Sequence, residues 1–243
     1  MIPPLVFGGN LVTVFTGFAK TGIPGVGILA AILLANLMEE TRDSVGTLLP
    51  VLIFADLFAV GTYRKHTDWR MVRRILPPTL VGVAVGAVSL GWFQGRRFDL
   101  MMGMLVLGQL LLDAARLRFK WESLPHHPGY GIFFGVLAGI TTTLGNMAGP
   151  LMSLYFMSLG LEKHRFMGSM AWYFFLINLV KVPVFWWHRM ITAETLPLSL
   201  WLLPGVVVGA LFGRRVFQHI PQKPFEVVVR LLAALAAVRL LLV

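Results

Sequence analysis

Apolar stretches close to the length of a membrane crossing fill almost the whole chain. Ten can be marked, at 4–20, 24–38, 43–63, 75–94, 98–115, 129–145, 148–160, 166–187, 196–213 and 224–243. A helix needs about 20 apolar residues to cross bilayer hydrocarbon, and about 17 is the lower limit. The breaks are short and polar, such as Glu39-Glu40-Thr41-Arg42-Asp43 and Pro125-His126-His127-Pro128-Gly129. Nothing in the 243 residues is left over for a soluble domain. Composition agrees: 57% of residues are hydrophobic, 25 more are glycine, and only 13% are charged. That charged share is about half of what a soluble domain carries. A soluble enzyme, a disulfide scaffold and a disordered chain are excluded. With no cysteine, thiolate catalysis and Cys-based metal or cluster sites are excluded as well.

Backbone groups in lipid must be paired internally, which leaves helices or a closed barrel. Barrel strands alternate apolar and polar residues, whereas runs such as Leu76 to Phe93 are apolar on every side. The sequence therefore predicts an all-α integral membrane protein. Sorting the connections by side places Lys20, Arg64, Lys65, Arg70, Arg73, Arg74, Arg116, Arg118, Lys120, Lys163, Arg165, Arg214, Arg215 and Lys223 together. The opposite side receives Arg42, Arg96, Arg97, Arg189 and Arg239. This 14-to-5 bias puts the first side in the cytoplasm and both termini outside. The net charge of +10 lies mostly in these connections, so it speaks of orientation in a lipid bilayer and not of nucleic acid. Met1-Ile2-Pro3-Pro4 lacks the basic start of a signal peptide, so the first stretch reads as part of the bundle.

Sliding the chain along itself by 122 residues aligns Gly17 with Gly139, Gly27 with Gly149, Gly46-Thr47 with Gly168-Ser169, Asp56 with Asn178, and His66 with His188. With one added residue, Gly82 and Gly86 fall on Gly205 and Gly209. The chain then divides into an N-terminal repeat, 1–122, and a C-terminal repeat, 123–243, within one membrane domain. Each holds about five segments, an odd number, so the second enters the membrane from the opposite side. The expected layout is two inverted-topology repeats, as in many secondary transporters. The short segments 24–38 and 148–160 read as broken or re-entrant helices paired with their predecessors, or as full crossings.

The first break of each half carries the chemistry. One runs from Lys20 through Thr21 and Gly22 to Gly25 and Gly27; the other holds Thr141, Thr142, Thr143, Gly145, Asn146 and Gly149. Gly- and Pro-interrupted helices at corresponding places in two halves point to a substrate site. Helix N-termini offer unpaired N–H groups and about half a positive charge to an anion, and glycine lets backbone approach it closely. The hydroxyls, the Asn146 amide and Lys20 supply further donors. The same glycines also serve close helix packing.

Asp56 lies in mid-span, where a carboxylate costs several kcal/mol unless it is paired, hydrated or protonated. Its repeat mate Asn178 lies at equivalent depth, with Lys181 one turn further on. A proton-carrying Asp56, or an Asp56–Lys181 pair, suits coupling or gating; a buried hydrogen bond to a neighbouring helix is the other reading. No histidine pair has metal-binding helical spacing, so no metal and no bound cofactor are expected. No nucleophile–base set lies at membrane depth, which argues against an enzyme.

Several of these segments resemble the TauE/SafE family, the toluene-sulfonate uptake permeases. The likeness rests on Gly22 to Gly27, on Thr41-Arg42-Asp43-Ser44-Val45-Gly46-Thr47-Leu48-Leu49-Pro50, on His66-Thr67-Asp68-Trp69-Arg70, and on the Gly82/Gly86 helix. Lys163-His164-Arg165-Phe166-Met167-Gly168-Ser169 echoes it in the second half. The resemblance implies a cytoplasmic-membrane transporter of small, mostly sulfur-containing anions such as sulfite, thiosulfate or sulfonates. Ile23, Pro24, Val26, Met147 and Ala148 stand where the family runs richer in glycine. The expected function is a secondary transporter moving such an anion by alternating access, with protons as a candidate coupling ion. An anion channel is the alternative, and an intramembrane enzyme a more distant one.

Overall fold

The computed structural model describes residues 3–23, 27–93, 96–98 and 128–221, with Leu100, Met104, Gly108 and Pro224. All regular secondary structure among them is helical. The helices are α1 (Pro3–Thr21), α2 (Gly27–Leu37), α3 (Thr41–Tyr63), α4 (Trp69–Leu90), α5 (Pro128–Gly145), α6 (Ala148–Ser158), α7 (Lys163–Trp187), α8 (Thr195–Trp201) and α9 (Leu203–His219). The expected fifth and tenth stretches, 98–115 and 224–243, and Gly25 lie almost wholly or wholly outside the described residues.

Two boundaries differ from the sequence expectation. The fourth span begins at Trp69, not 75, because Asp68 caps it: its carboxylate accepts from the N–H groups of Arg70 (3.1 Å) and Met71 (3.2 Å). Arg70, Arg73 and Arg74 are thereby helical, in the span's first two turns. The ninth stretch breaks at Leu202 into α8 and α9, which are bent by 42°. The proline behind this break is Pro204, in the first turn of α9. Carbonyls near the bend are paired by α1: Asn10 donates to Trp201 (2.9 Å) and Thr13 to Leu202 (2.8 Å). In lipid such side-chain partners are what make a broken helix tolerable.

By length and composition α3, α4 and α7 can each cross a membrane, and α8 with α9 is apolar enough as a bent pair to form a fourth broken span or a re-entrant loop. The 11-residue helices α2 and α6 are each only about 16 Å long, half of a hydrocarbon layer about 30 Å thick. The outer surface is apolar: Trp187 is 84% exposed, Phe7 70% and Phe212 61%. That is the reverse of a water-soluble surface and is what lipid requires.

Close helix crossings hold the bundle together. A Cβ at Gly205, Gly209 or Gly213 of α9 would overlap the carbonyls of Asn10, Val14 and Phe18 of α1 in turn, so these two helices run parallel at near-backbone contact. The α4–α5 pair is alike: Gly135 abuts Pro78, Gly82 meets Val136 and Gly139, and Gly86 meets Thr143. Small residues four apart permit this approach, and in a membrane it supplies the packing that hydrophobicity cannot. Gly82 on Val136 matches Gly209 on Val14, and Gly86 on Thr143 matches Gly213 on Thr21. These contacts set Gly82 and Gly86 beside partners 122 positions from those of Gly209 and Gly213, where the sequence expectation aligns them with Gly205 and Gly209.

Helices α3 and α7 cross antiparallel. Gly46, near the start of α3, packs on the Met190 carbonyl just beyond α7, while Gly168, near the start of α7, packs on Tyr63, His66 and Thr67 at the end of α3. Gly46→Val and Gly209→Val should each cost about 1–3 kcal/mol or more, read as a lower unfolding temperature in detergent. Gly61→Ala, where nothing lies within 4 Å of the new Cβ, should leave that temperature unchanged or raised. Equal stability of all three variants would contradict the crossings.

Candidate functional site: a charged cluster at the α3–α7 crossing

The middle of the α3–α7 crossing is polar. Asp56 and Asn178, 122 positions apart, meet there: the Asn178 amide donates to Asp56 Oδ2 at 2.6 Å. Lys20, from the last turn of α1, places its Nζ 2.7 Å from Asp56 Oδ1. Asp56 is fully buried. A carboxylate removed from water needs such partners, because leaving it alone costs far more than an ordinary unpaired polar group. The Lys20 ammonium also lies over the Phe174 ring, 4.1 Å from its centroid, so the aromatic face contributes to holding the cation.

The partner of Asp56 is therefore Lys20, and the Asp56–Lys181 pair weighed from the sequence is replaced. Lys181, also fully buried, instead turns to the α5–α6 break. Its Nζ lies 3.1 Å from the Thr142 carbonyl, 2.9 Å from Thr142 Oγ1 and 2.6 Å from Asn146 Oδ1. The Thr142 carbonyl also accepts from the Asn146 N–H at 2.9 Å, so Lys181 is a second donor to the last turn of α5 and ties its backbone and side chains together. Asn146 takes a left-handed backbone, φ 57°, which asparagine tolerates better than most residues. Its amide donates to the Val45 carbonyl of α3 at 2.9 Å. Lys181 and Asn146 together fix where α5 stops and α6 starts.

Beside this cluster lies a cavity of about 70 Å³. One water needs about 10–15 Å³ on the same measure, and drug-sized ligands need pockets of about 300–1,000 Å³. The space suits a small polyatomic ion. Its wall includes Lys20, Thr142, Asn146, Gly149 and Asn178, with Leu48, Leu52, Met170 and Phe174 as apolar lining. Lys20 and Thr142, Leu48 and Met170, and Leu52 and Phe174 are pairs separated by the same 122 positions. The N-terminus of α6 opens at this wall with no side-chain cap, and nothing lies within 4 Å of where a Gly149 Cβ would stand. Asn178 Oδ1 has no hydrogen-bond partner among the described residues.

The remaining candidates lie elsewhere. Thr21 donates to the Ala210 carbonyl at 2.7 Å, and its own carbonyl accepts from the Tyr63 hydroxyl. Gly22 packs against Gly213, and Thr143 against Gly86, both in helix crossings. Thr141 bonds back to Ala138 within α5. Gly145 is buried at the end of α5, and Gly27 begins α2. The apolar lining carried no sequence signal, since Leu48, Leu52, Met170 and Phe174 look like ordinary core. The 122-residue offset was the usable clue, because it puts Asp56 and Asn178 at one depth on helices that then touch.

Replacing Lys20 by Met removes the one cation in contact with Asp56 among the described residues and should cost about 3 kcal/mol. The double variant Lys20→Met/Asp56→Asn removes both charges and should recover most of that loss in thermal unfolding. Additive losses would show that the two groups are energetically independent.

No curated protein sequence and no solved structure matches the chain. A family description, Sulfite exporter TauE/SafE, matches residues 8–240. That match spans both halves, the charged cluster and every wall of the cavity, and the chain belongs to the TauE/SafE sulfite exporter family.

Proposed function

We propose that this protein is a secondary transporter that binds one small anion in the α3–α7 cavity and passes it across the cytoplasmic membrane by alternating access. The observation that carries the reading is a mid-span cavity bordered by the Lys20 ammonium and by Gly149 in the first turn of α6. Both replace an anion's water shell with fixed positive ends of dipoles or charges. The other wall groups, Thr142, Asn146 and Asn178, fix orientation. Sulfite, thiosulfate and organosulfonates fit the chemistry: they are compact, and they spread negative charge over oxygens that accept several donors at once. The family supports the same substrate class.

Alternating access in this reading comes from two inverted halves, 1–122 and 123–243, with both termini outside. Three features support inversion. The pair α1–α9 is matched by α5–α4, the helices α3 and α7 run antiparallel, and residues 122 apart touch at their crossing. A residue that contacts its own counterpart lies on a twofold axis, which is where transporters of this layout place substrate. Rocking one half about that axis would open Lys20 to each side in turn. Asp56, Asn178 and Lys181 couple or gate the movement, with Asp56 as the proton-carrying group.

Purified protein in proteoliposomes should take up sulfite, thiosulfate or a sulfonate with saturation and counterflow. Gly149→Ala should raise the half-saturation concentration about tenfold, or about 1.4 kcal/mol of binding, and Gly149→Val should abolish uptake with folding intact. Unitary conductance, or wild-type flux in the Val variant, would contradict a carrier that binds at the α6 N-terminus.

A further inference from the structure

The Lys20 ammonium serves two neighbours. It lies 2.7 Å from Asp56 on the protein side and also forms part of the cavity wall, with 16% of its side chain exposed. Asp56 is not on that wall and has no exposed surface. An anion entering the cavity therefore meets a cation that a carboxylate already holds, and the second negative charge arrives close behind the first. In a low-dielectric interior that repulsion is large. It is relieved if Asp56 takes up a proton, since the neutral acid can still accept from Asn178 and leaves the ammonium to the anion.

We propose that the cavity anion and the Asp56 carboxylate compete for the Lys20 ammonium, so that filling the cavity loads one proton onto Asp56. The inference rests on the anion-carrier reading and adds a sign and a stoichiometry to it. The proton comes from the compartment to which the cavity is open and leaves with the anion on the other side. Anion and proton travel together, one of each, and a proton gradient drives the anion in the direction in which protons fall.

Among the described residues, few charged groups face Asp56. α1 brings Lys20, and α7 brings Lys181, which is engaged by Thr142 and Asn146. The described parts of α2 and α8 carry no charged residue, and α9 carries Arg214, Arg215 and His219, all toward its C-terminal end. Among the described residues Asp56 is the one acid in the middle of the crossing, which is why the expected ratio is one. Linkage gives the direction. An occupied cavity raises the proton affinity of Asp56, so lower pH must raise the affinity for the anion. The slope reaches at most tenfold per pH unit, between the titration of Asp56 in the empty protein and in the filled one. Affinity is level below and above that interval.

The test uses the full chain in detergent or nanodiscs, with methanesulfonate as the probe because its own charge is constant between about pH 5 and pH 9. Wild type should bind more tightly as pH falls, and calorimetry in buffers of different ionisation enthalpy should find up to about one proton taken up per anion. Asp56→Asn should bind with no pH slope and no proton uptake. The double variant Lys20→Gln/Asp56→Asn, which leaves no stranded charge, should lose binding about tenfold or more. A flat wild-type profile, no proton uptake, or a wild-type slope in Asp56→Asn overturns the competition while leaving an anion site. If neither methanesulfonate nor sulfite binds the folded wild type at any pH, the carrier reading beneath it falls too.

Discussion

An ion pair in the middle of a membrane span is the constraint around which this protein is organised. Lys20 and Asp56 would each be prohibitive alone at that depth, and together they still need shielding from lipid. The α3–α7 crossing provides it. Gly46 and Gly168 let the two helices close on each other at both ends, so Asp56, Asn178 and Lys181 are buried between them. The apolar exterior and the glycine crossings of α1 with α9 and α4 with α5 then follow as what encloses a polar centre in lipid.

The two sides of the crossing are chemically unequal, and there is a physical reason. Where α1 has Lys20, α5 has Thr142; where α3 has Asp56, α7 has Asn178. Under the inverted-repeat reading Asp56 touches its own counterpart, so a second carboxylate there would face the first at hydrogen-bond distance. Two such groups cannot both ionise. An amide in one copy keeps the contact as a hydrogen bond and leaves a single titratable group at the centre.

Much of this architecture was legible from sequence, because a bilayer restricts the options severely. Segment lengths and basic loops announced helices, and the nine described helices fall close to eight of the ten apolar stretches. Asp56, Asn178 and Lys181 stood out because charge and amide are costly at mid-span. What sequence left open was partnership. Lys20 and Lys181 are both within plausible reach of Asp56, and only the path of α1 decides for Lys20. Under the inverted-repeat reading the glycine register was ambiguous for a similar reason: Gly205, Gly209 and Gly213 repeat every turn, so two alignments satisfy the same spacing, and the contacts favour one. Threonines of the two breaks looked alike in sequence, yet Thr142 faces the cavity while Thr21 and Thr143 tie helices together.

The chain contains no cysteine, so a single one can be placed on the cavity wall without background. The most direct measurement is labelling of Met170→Cys in oriented vesicles by a membrane-impermeant maleimide applied from each face. A shared cavity opening alternately to the two sides requires labelling from both faces, slowed by methanesulfonate or thiosulfate in a saturable way. Labelling that ignores the anion, or that occurs from one face only under every condition, would contradict an alternating site at the α3–α7 crossing.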